Sequence, residues 1–299
     1  RIMELKTKGY GKPNYNGVVV IEDILLVTDY DDSSLHLYSL HDGKLLSSHR
    51  LESSPYDVCL ISKTEVAVCL SHSKIVIVSF KSIDDVKRVK TLNVSTEFDS
   101  CESVAKWTSE KLIVSGTTTW NYHAMLCWGV VSITDGPLDS THIICKWNHG
   151  EGYYTHVAIK NNTVYISCWT PDSTTIGVYV YDIYNPHTYK FLYQHKELIS
   201  PWSILADRNS VFVCDFNSNT IHQLTDSGQL VTIHRVLSIL YGMFYDDQHG
   251  VLYTTSYESN VITVYKMEYL HQPGNSILFY IHFYITQQRK LHASFICIS

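Results

Sequence analysis

The chain has 299 residues, with 23 Lys and Arg against 29 Asp and Glu, a formal net charge of −6, and only 17% charged residues. That balance excludes a protein built as a whole to attract polyanions, while the length allows one large core in a single closed domain. No signal peptide, membrane span or lipidation motif is visible in these residues, and the first residue is Arg1, not Met, as in a fragment of a longer product.

Taken in chain order, residues 3–8 read as an orphan strand. Residues 25–38 (LLVTDYDDSSLHLY) then give a strand, a tight polar turn and a second strand, and residues 65–78 (EVAVCLSHSKIVIV) repeat the design. Residues 112–131 and 164–181 keep the flanking strands but stretch the turn between them. The cleanest copy is 211–224 (VFVCDFNSNTIHQL), and 251–264 (VLYTTSYESNVITV) is the last. Before each copy lies a short mixed strand and after most a more polar one, while His41-Asp42-Gly43, Thr134-Asp135-Gly136 and Asp226-Ser227-Gly228 supply glycine where a turn needs positive φ. The near-continuous apolar runs at 74–80 and 177–183 fit strands covered on both faces. Six copies at a spacing of roughly 40–50 residues predict an all-β fold, a six-bladed β-propeller of four-stranded antiparallel blades. The last copy has no fourth strand of its own, so the N-terminal strand is expected to pair into the final blade and close the ring. The propeller is assigned to residues 1–267; residues 268–299, with the apolar stretch 275–286, form a poorly ordered or peripheral extension too short to span a bilayer.

Eight cysteines, at 59, 69, 101, 127, 145, 168, 214 and 297, include no CxxC, and most fall within strands. There a free thiol packs as a small apolar group, which points to a reducing, cytoplasmic setting. Sequons at Asn93 and Asn161 would allow glycosylation of a secreted chain, but the pattern is short.

The stretch 201–230 (PWSILADRNSVFVCDFNSNTIHQLTDSGQL) resembles an NHL repeat: a Pro-led inner strand, a strand ending in Asp, an Asn-bearing turn, an apolar strand and Gly. Val27-Thr28-Asp29 and Leu35-His36-Leu37-Tyr38 match it in the first copy, whereas the two central copies depart from it. The whole looks similar to the C-terminal propeller of tripartite-motif proteins. That resemblance implies the substrate-receptor end of a ubiquitin ligase or a post-transcriptional regulator, whose propeller recognises protein or RNA. The Cys and His spacing of a RING or B-box does not occur here, so ligase activity would need a domain outside these residues.

The loops that lead into the inner strands share a face with the turns between second and third strands. They carry Asp29, Asp31, Asp32, Glu97, Asp99, Glu102, Glu151, Asp172, Asp215 and Glu258, with Lys74 the one fixed cation counted there. Tyr56, Trp120, Tyr122, Tyr153, Tyr154, Trp169, Trp202, Tyr241 and Tyr257 fall in or beside the same loops. Rigid aromatics among carboxylates suit a protein or peptide partner with basic side chains. The candidate binding set is Trp120, Tyr122, His123, Trp169, Asp172, Trp202, Asp215, Tyr241 and Tyr257. About half of such aromatics would serve interblade packing alone. RNA is not expected, because the aromatic face lacks phosphate-neutralising cations.

An enzymatic alternative follows six-bladed metal-dependent lactonases and amidating lyases, whose central channel gathers carboxylate, Asn or His ligands. The candidates are Asp57, Glu102 and His156, with Ser203 and Gly242 as poor ligands in equivalent places. No cofactor is expected: HExxH, GxSxG and phosphate-cradling Gly loops are missing, and the 16 histidines show no paired spacing.

Overall fold

The computed structural model describes residues 2–5, 13–82, 85–94, 98–120, 123–133, 142–147, 154–169, 176–207, 210–236, 239–257, 259–271 and 277–282. Among them every regular element is a strand. The first, β1 (Ile2–Glu4), stands apart. Blade 1 is β2 (Tyr15–Ile21), β3 (Ile24–Asp29), β4 (Ser34–Ser39) and β5 (Leu45–Arg50); blade 2 is β6 (Pro55–Ser62), β7 (Glu65–Leu70), β8 (Lys74–Ser82) and β9 (Asp85–Asn93). Blade 3 is β10 (Ser100–Lys106), β11 (Lys111–Trp120), β12 (His123–Ser132) and β13 (His142–Trp147); blade 4 is β14 (Tyr154–Lys160), β15 (Thr163–Trp169), β16 (Gly177–Asp182) and β17 (Asn185–Tyr193). Blade 5 is β18 (Pro201–Ala206), β19 (Val211–Asp215), β20 (Thr220–Leu224) and β21 (Leu230–Arg235). Blade 6 holds β22 (Leu240–Asp246), β23 (Val251–Ser256), β24 (Val261–His271) and β25 (Ile277–His282).

Each sheet is an antiparallel meander in sequence order, and six such sheets form the propeller. In the last, β1 pairs with β24 through Ile2↔Thr263, Met3↔Ile262 and Glu4↔Val261, so the N-terminal strand completes blade 6 as expected. β24 runs on to His271, and β25 pairs with its second half, from Lys266↔His282 to His271↔Ile277. The fourth position of blade 6 is therefore shared by the two ends of the chain.

The middle strands are apolar on both faces because each face meets a different neighbour. In β7, Val66, Val68 and Leu70 point into the wedge shared with blade 1, while Ala67 and Cys69 point into the wedge shared with blade 3. In β3, Leu26 faces blade 2, and Leu25 and Val27 face blade 6. The core is six such wedges, one between each pair of neighbouring blades, including the closing one where Met3, Leu5 and Ile262 meet Tyr15, Val18 and Leu25. Full coverage of both sheet faces is the condition under which alternation disappears from a strand.

A second, polar ring knits the inner strands. In blades 1, 4, 5 and 6 one small side chain near the end of the second strand bonds the backbone of its own inner strand, that of the next blade, or both. Thr28 Oγ1 accepts from the Gly17 amide (2.7 Å). Ser167 Oγ donates to the Trp202 carbonyl (3.0 Å), and Cys214 Sγ accepts from the Ser203 amide (3.2 Å) and donates to the Tyr241 carbonyl (3.7 Å). Thr255 Oγ1 accepts from the Gly242 amide (2.7 Å) and donates across the closure to the Asn16 carbonyl (3.4 Å). Gly242 is required at that crossing, because a Cβ there would run into the Asn16 carbonyl.

At the equivalent place between blades 2 and 3 the link is covalent: Cys69 and Cys101 form a disulfide closing a separation of 32 residues. This corrects the expectation that the strand cysteines are all unpaired. Facing sulfurs from neighbouring blades met where the other blades place a hydroxyl or thiol, and a cross-link over such a loop contributes about 3–4 kcal/mol in the chain-entropy picture. Cys59, Cys127, Cys168 and Cys214 stay as thiols outside any disulfide, the last three buried. No helix among the described residues is long and apolar enough to cross a membrane, which says nothing of strands.

Candidate functional site

Inner-strand starts, second-strand ends and the turns between second and third strands share one face. Two of those turns are built alike. In blade 5 the strand ends at Asp215, which is fully buried; its Oδ2 accepts the amides of Ile199 and Ser200 (both 2.6 Å) and its Oδ1 that of Ser218 (2.7 Å). In blade 1 Asp29 does the same work, its Oδ1 accepting the amides of Asn14 (3.3 Å), Asp31 (3.2 Å) and Asp32 (3.4 Å). Burial alone would raise the Asp29 carboxyl, but a hydrogen bond from His36 and the amides of Asn14 and Asp32 hold it below the ordinary carboxylate range. Each turn closes on a residue in the left-handed region, Ser33 (φ 51°) and Asn219 (φ 54°). The terminal Asp of the repeat is thus a staple between blade-entry loop and turn, and Asp215 is not presented to a partner.

The residue after each staple is aromatic and meets the second residue of the next blade's inner strand. Phe216 contacts Tyr241 (ring centroids 5.7 Å apart), and Tyr30 contacts Tyr56 (5.2 Å). Around the first pair the rings close into a shelf: Trp202 lies 4.7 Å from Tyr241 and 5.5 Å from Phe216, while Tyr257 lies 5.5 Å from Tyr241 and 5.6 Å from Phe216. His156 approaches Trp202 at 6.1 Å. The centroid spacings are those of rings packed edge-to-face or offset, so no slot opens between them, and a partner would lie on the shelf and not within it. Trp202 is 9% exposed and belongs to the wedge between blades 5 and 6, whereas Phe216, Tyr241 and Tyr257 are half-buried.

The structure therefore brings together Trp202, Tyr241 and Tyr257 of the expected set and adds Phe216. Trp169 ends β15 on the same face, half-buried beside the wedge of blades 4 and 5. Trp120 and His123 stand opposite each other at the end of the long β11–β12 hairpin; their side chains, and Tyr122 and Asp172 entirely, lie outside the described residues. Phe216 carried a readable signal, since it follows Asp215 as Tyr30 follows Asp29.

The acidity of this face is smaller than the sequence count. Asp29, Glu102 and Asp215 are buried, and Glu97, Glu151, Asp172 and Glu258 are outside the described residues. Two rim carboxylates are matched by cations: Glu52 with Lys74 (3.2 Å) and Arg88 (3.4 Å), and Glu197 with Arg235 (2.9 Å).

The channel candidates are spread differently from the expectation. A bulge between Cys101 and Ser103 shifts β10, so that Ser103, not Glu102, is level with Asp57 and His156. Asp57 Oδ2 accepts from Ser103 Oγ (2.6 Å) and the Val104 amide (3.1 Å), and its Oδ1 from the Val58 amide (2.8 Å). Ser103 Oγ in turn accepts from the Val157 amide (3.2 Å), tying blades 2, 3 and 4 in series. Desolvation pushes the Asp57 carboxyl up to about 6, and burial pushes His156 down to about 3, leaving a neutral imidazole at ordinary pH. Among the described residues no three His, Cys, Asp or Glu side chains converge as a metal site would require.

No family model and no curated protein matches the chain. Solved structures do, as folds. A gluconolactonase from Xanthomonas campestris superposes with a TM-score of 0.67 at 11% identity, covering 88% of each chain. A luciferin-regenerating enzyme gives 0.61 at 13% identity over 86% of this chain and 88% of the other. A chain of a nidogen/laminin complex also gives 0.61 at 13%, over 77% and 84%. Identities this low establish the class, a six-bladed β-propeller, and nothing narrower.

Proposed function

We propose that this propeller is a non-catalytic recognition module that docks a protein or peptide on the face carrying Phe216, Tyr241 and Tyr257 over Trp202. The observation that carries the reading is the four-ring shelf itself. Half-exposed rings set at inner-strand ends, braced from below by a buried tryptophan and held by a stapled turn, make a rigid apolar platform with phenol groups at its margin, the composition of interface hot spots. Within this reading Trp169 belongs to the same surface, and Trp120, Tyr122, His123 and Asp172 are proposed to extend it through the long hairpins. The NHL-like pattern of blades 1 and 5 supports placing the module at the substrate-receptor end of a tripartite-motif-like ubiquitin ligase. A cytoplasmic site of action fits that role, although the Cys69–Cys101 pair weighs against a reducing compartment. RNA is disfavoured because Lys74, Arg88 and Arg235 are already paired with Glu52 and Glu197 and are not available to phosphates.

The test is Phe216→Ala with Tyr257→Ala, two half-buried positions. The double variant is expected to lose at least tenfold in partner capture by the full-length protein while its melting temperature falls only a few degrees. Unchanged capture would refute the shelf. The likeness to a gluconolactonase favours a second reading, a metal-dependent hydrolase of the channel; stoichiometric metal in the purified protein, lost on Asp57→Ala, would establish that reading instead.

A further inference from the structure

The two stapled turns allow one to be read against the other. Both need the terminal Asp and the left-handed closing residue, and between them blade 5 places Asn217 and Ser218 where blade 1 places Asp31 and Asp32. The blade 5 turn forms with neutral side chains, so the carboxylates of the blade 1 turn are not needed to make it. Asp31 is exposed, and its carboxylate has no hydrogen-bond or ion-pair partner among the described residues; only its backbone amide is engaged. Asp32 has a side chain 62% exposed whose one ion-pair contact among the described residues is with the His36 imidazole, at 3.7 Å. The rim carboxylates Glu52 and Glu197, by contrast, are matched by Lys or Arg. Beside these two carboxylates, neither of which meets a Lys or Arg among the described residues, lies an aromatic platform, the half-buried Tyr30 and Tyr56 with centroids 5.2 Å apart at an interplanar angle of 50°. Negative charge that folding does not require, carried on the turn that directly follows Tyr30 in the chain, is complementary to one kind of group: a Lys or Arg side chain, drawn by the carboxylates and lying against the ring faces.

We propose that the boundary of blades 1 and 2 is a second subsite on the recognition face, formed by Tyr30, Tyr56, Asp31 and Asp32, which takes a basic side chain of the same partner that covers the aromatic shelf. This rests on the recognition reading and gives it a partner class: a peptide segment pairing an apolar or aromatic anchor with a Lys or Arg. The shelf supplies area, and the subsite supplies charge selection and orientation.

The experiment selects binders from a phage-displayed random peptide library on the immobilised propeller and measures the affinity of the enriched synthetic peptides for wild type, D31N/D32N and Phe216→Ala/Tyr257→Ala. Because both aspartates are exposed, D31N/D32N should melt with the parent, which circular dichroism verifies. The expected result is enrichment of peptides with Arg or Lys whose affinity falls roughly three- to tenfold on D31N/D32N, falls with added salt, and is lost when the basic residue is replaced by Gln. Peptides that lack a basic residue, or that ignore D31N/D32N while losing affinity on Phe216→Ala/Tyr257→Ala, would overturn the subsite and leave the shelf standing. Sensitivity to D31N/D32N alone would support the subsite and refute the shelf, and failure to enrich any binder would overturn both.

Discussion

Asp57 and His156 occupy the same level of the inner strands of blades 2 and 4, on either side of Ser103, and respond to burial in opposite directions. A carboxyl raised from 3.8 to about 6 in the folded chain favours folding where it is protonated, so its contribution is full below about pH 4 and is lost as pH rises through about 6. A histidine lowered from 6.5 to about 3 works the other way: its stability is present above about pH 6.5 and is lost as the solution is acidified. His222 and His234, both pushed down to about 4 by burial, add to that acid sensitivity. The Asp57 contribution is separable by difference. Asp57→Asn should compare worst with wild type near pH 4 and recover by about 2 kcal/mol toward pH 7, read as paired denaturation midpoints across pH. A gap that does not change with pH would show that Asp57 ionises normally in the folded state.

At the scale of the element, the repeat is defined less by its strands than by the turn that each second strand enters. Removing the staple leaves three amides without an acceptor, those of Ile199, Ser200 and Ser218. Asp215→Ala should therefore cost about 3 kcal/mol, seen as a fall in the urea midpoint, and should release the Phe216 turn, quenching partner capture along with stability; Asp215→Asn, which keeps one acceptor, should lie between. Much of this level was legible in the sequence. Strand, turn and strand recur with apolar runs long enough to show that both faces are covered, and the aromatics Trp202, Tyr241 and Tyr257 sat where the reading put them, beside inner-strand starts and turn ends. What was not legible depends on contacts between repeats. Asp215 reads as a surface carboxylate until the loop before its own blade is seen to fold over it. Phe216, marked only by its place after Asp215, gains its meaning when the neighbouring inner strand brings Tyr241 to it. Glu102 reads as the counterpart of Asp57 because a bulge of one residue leaves no mark in the letters. Cys69 and Cys101 lie in different repeats, and only the stacking of blades makes them neighbours.

The whole molecule is held by six wedges, and in the closing one β1 adds its apolar residues to those of blade 6. Met3 and Leu5 are 4% and 0% exposed and pack there with Tyr253 and Ile262 against blade 1. Deleting residues 1–5 should cost about 3–5 kcal/mol from lost apolar burial and bare the edge of β24, promoting self-association that size-exclusion chromatography would report. A deletion that left the midpoint unchanged and the protein monomeric would mean that the ring does not depend on its first strand. The sharing of β24 also settles how this disc can be tethered. β1 and β25 both lie along β24 at the outer margin of blade 6, while the platform of rings sits at the axial ends of the strands. A label engineered onto either strand would hang from the side of the disc like a key from its ring and leave the axial surface open to a ligand.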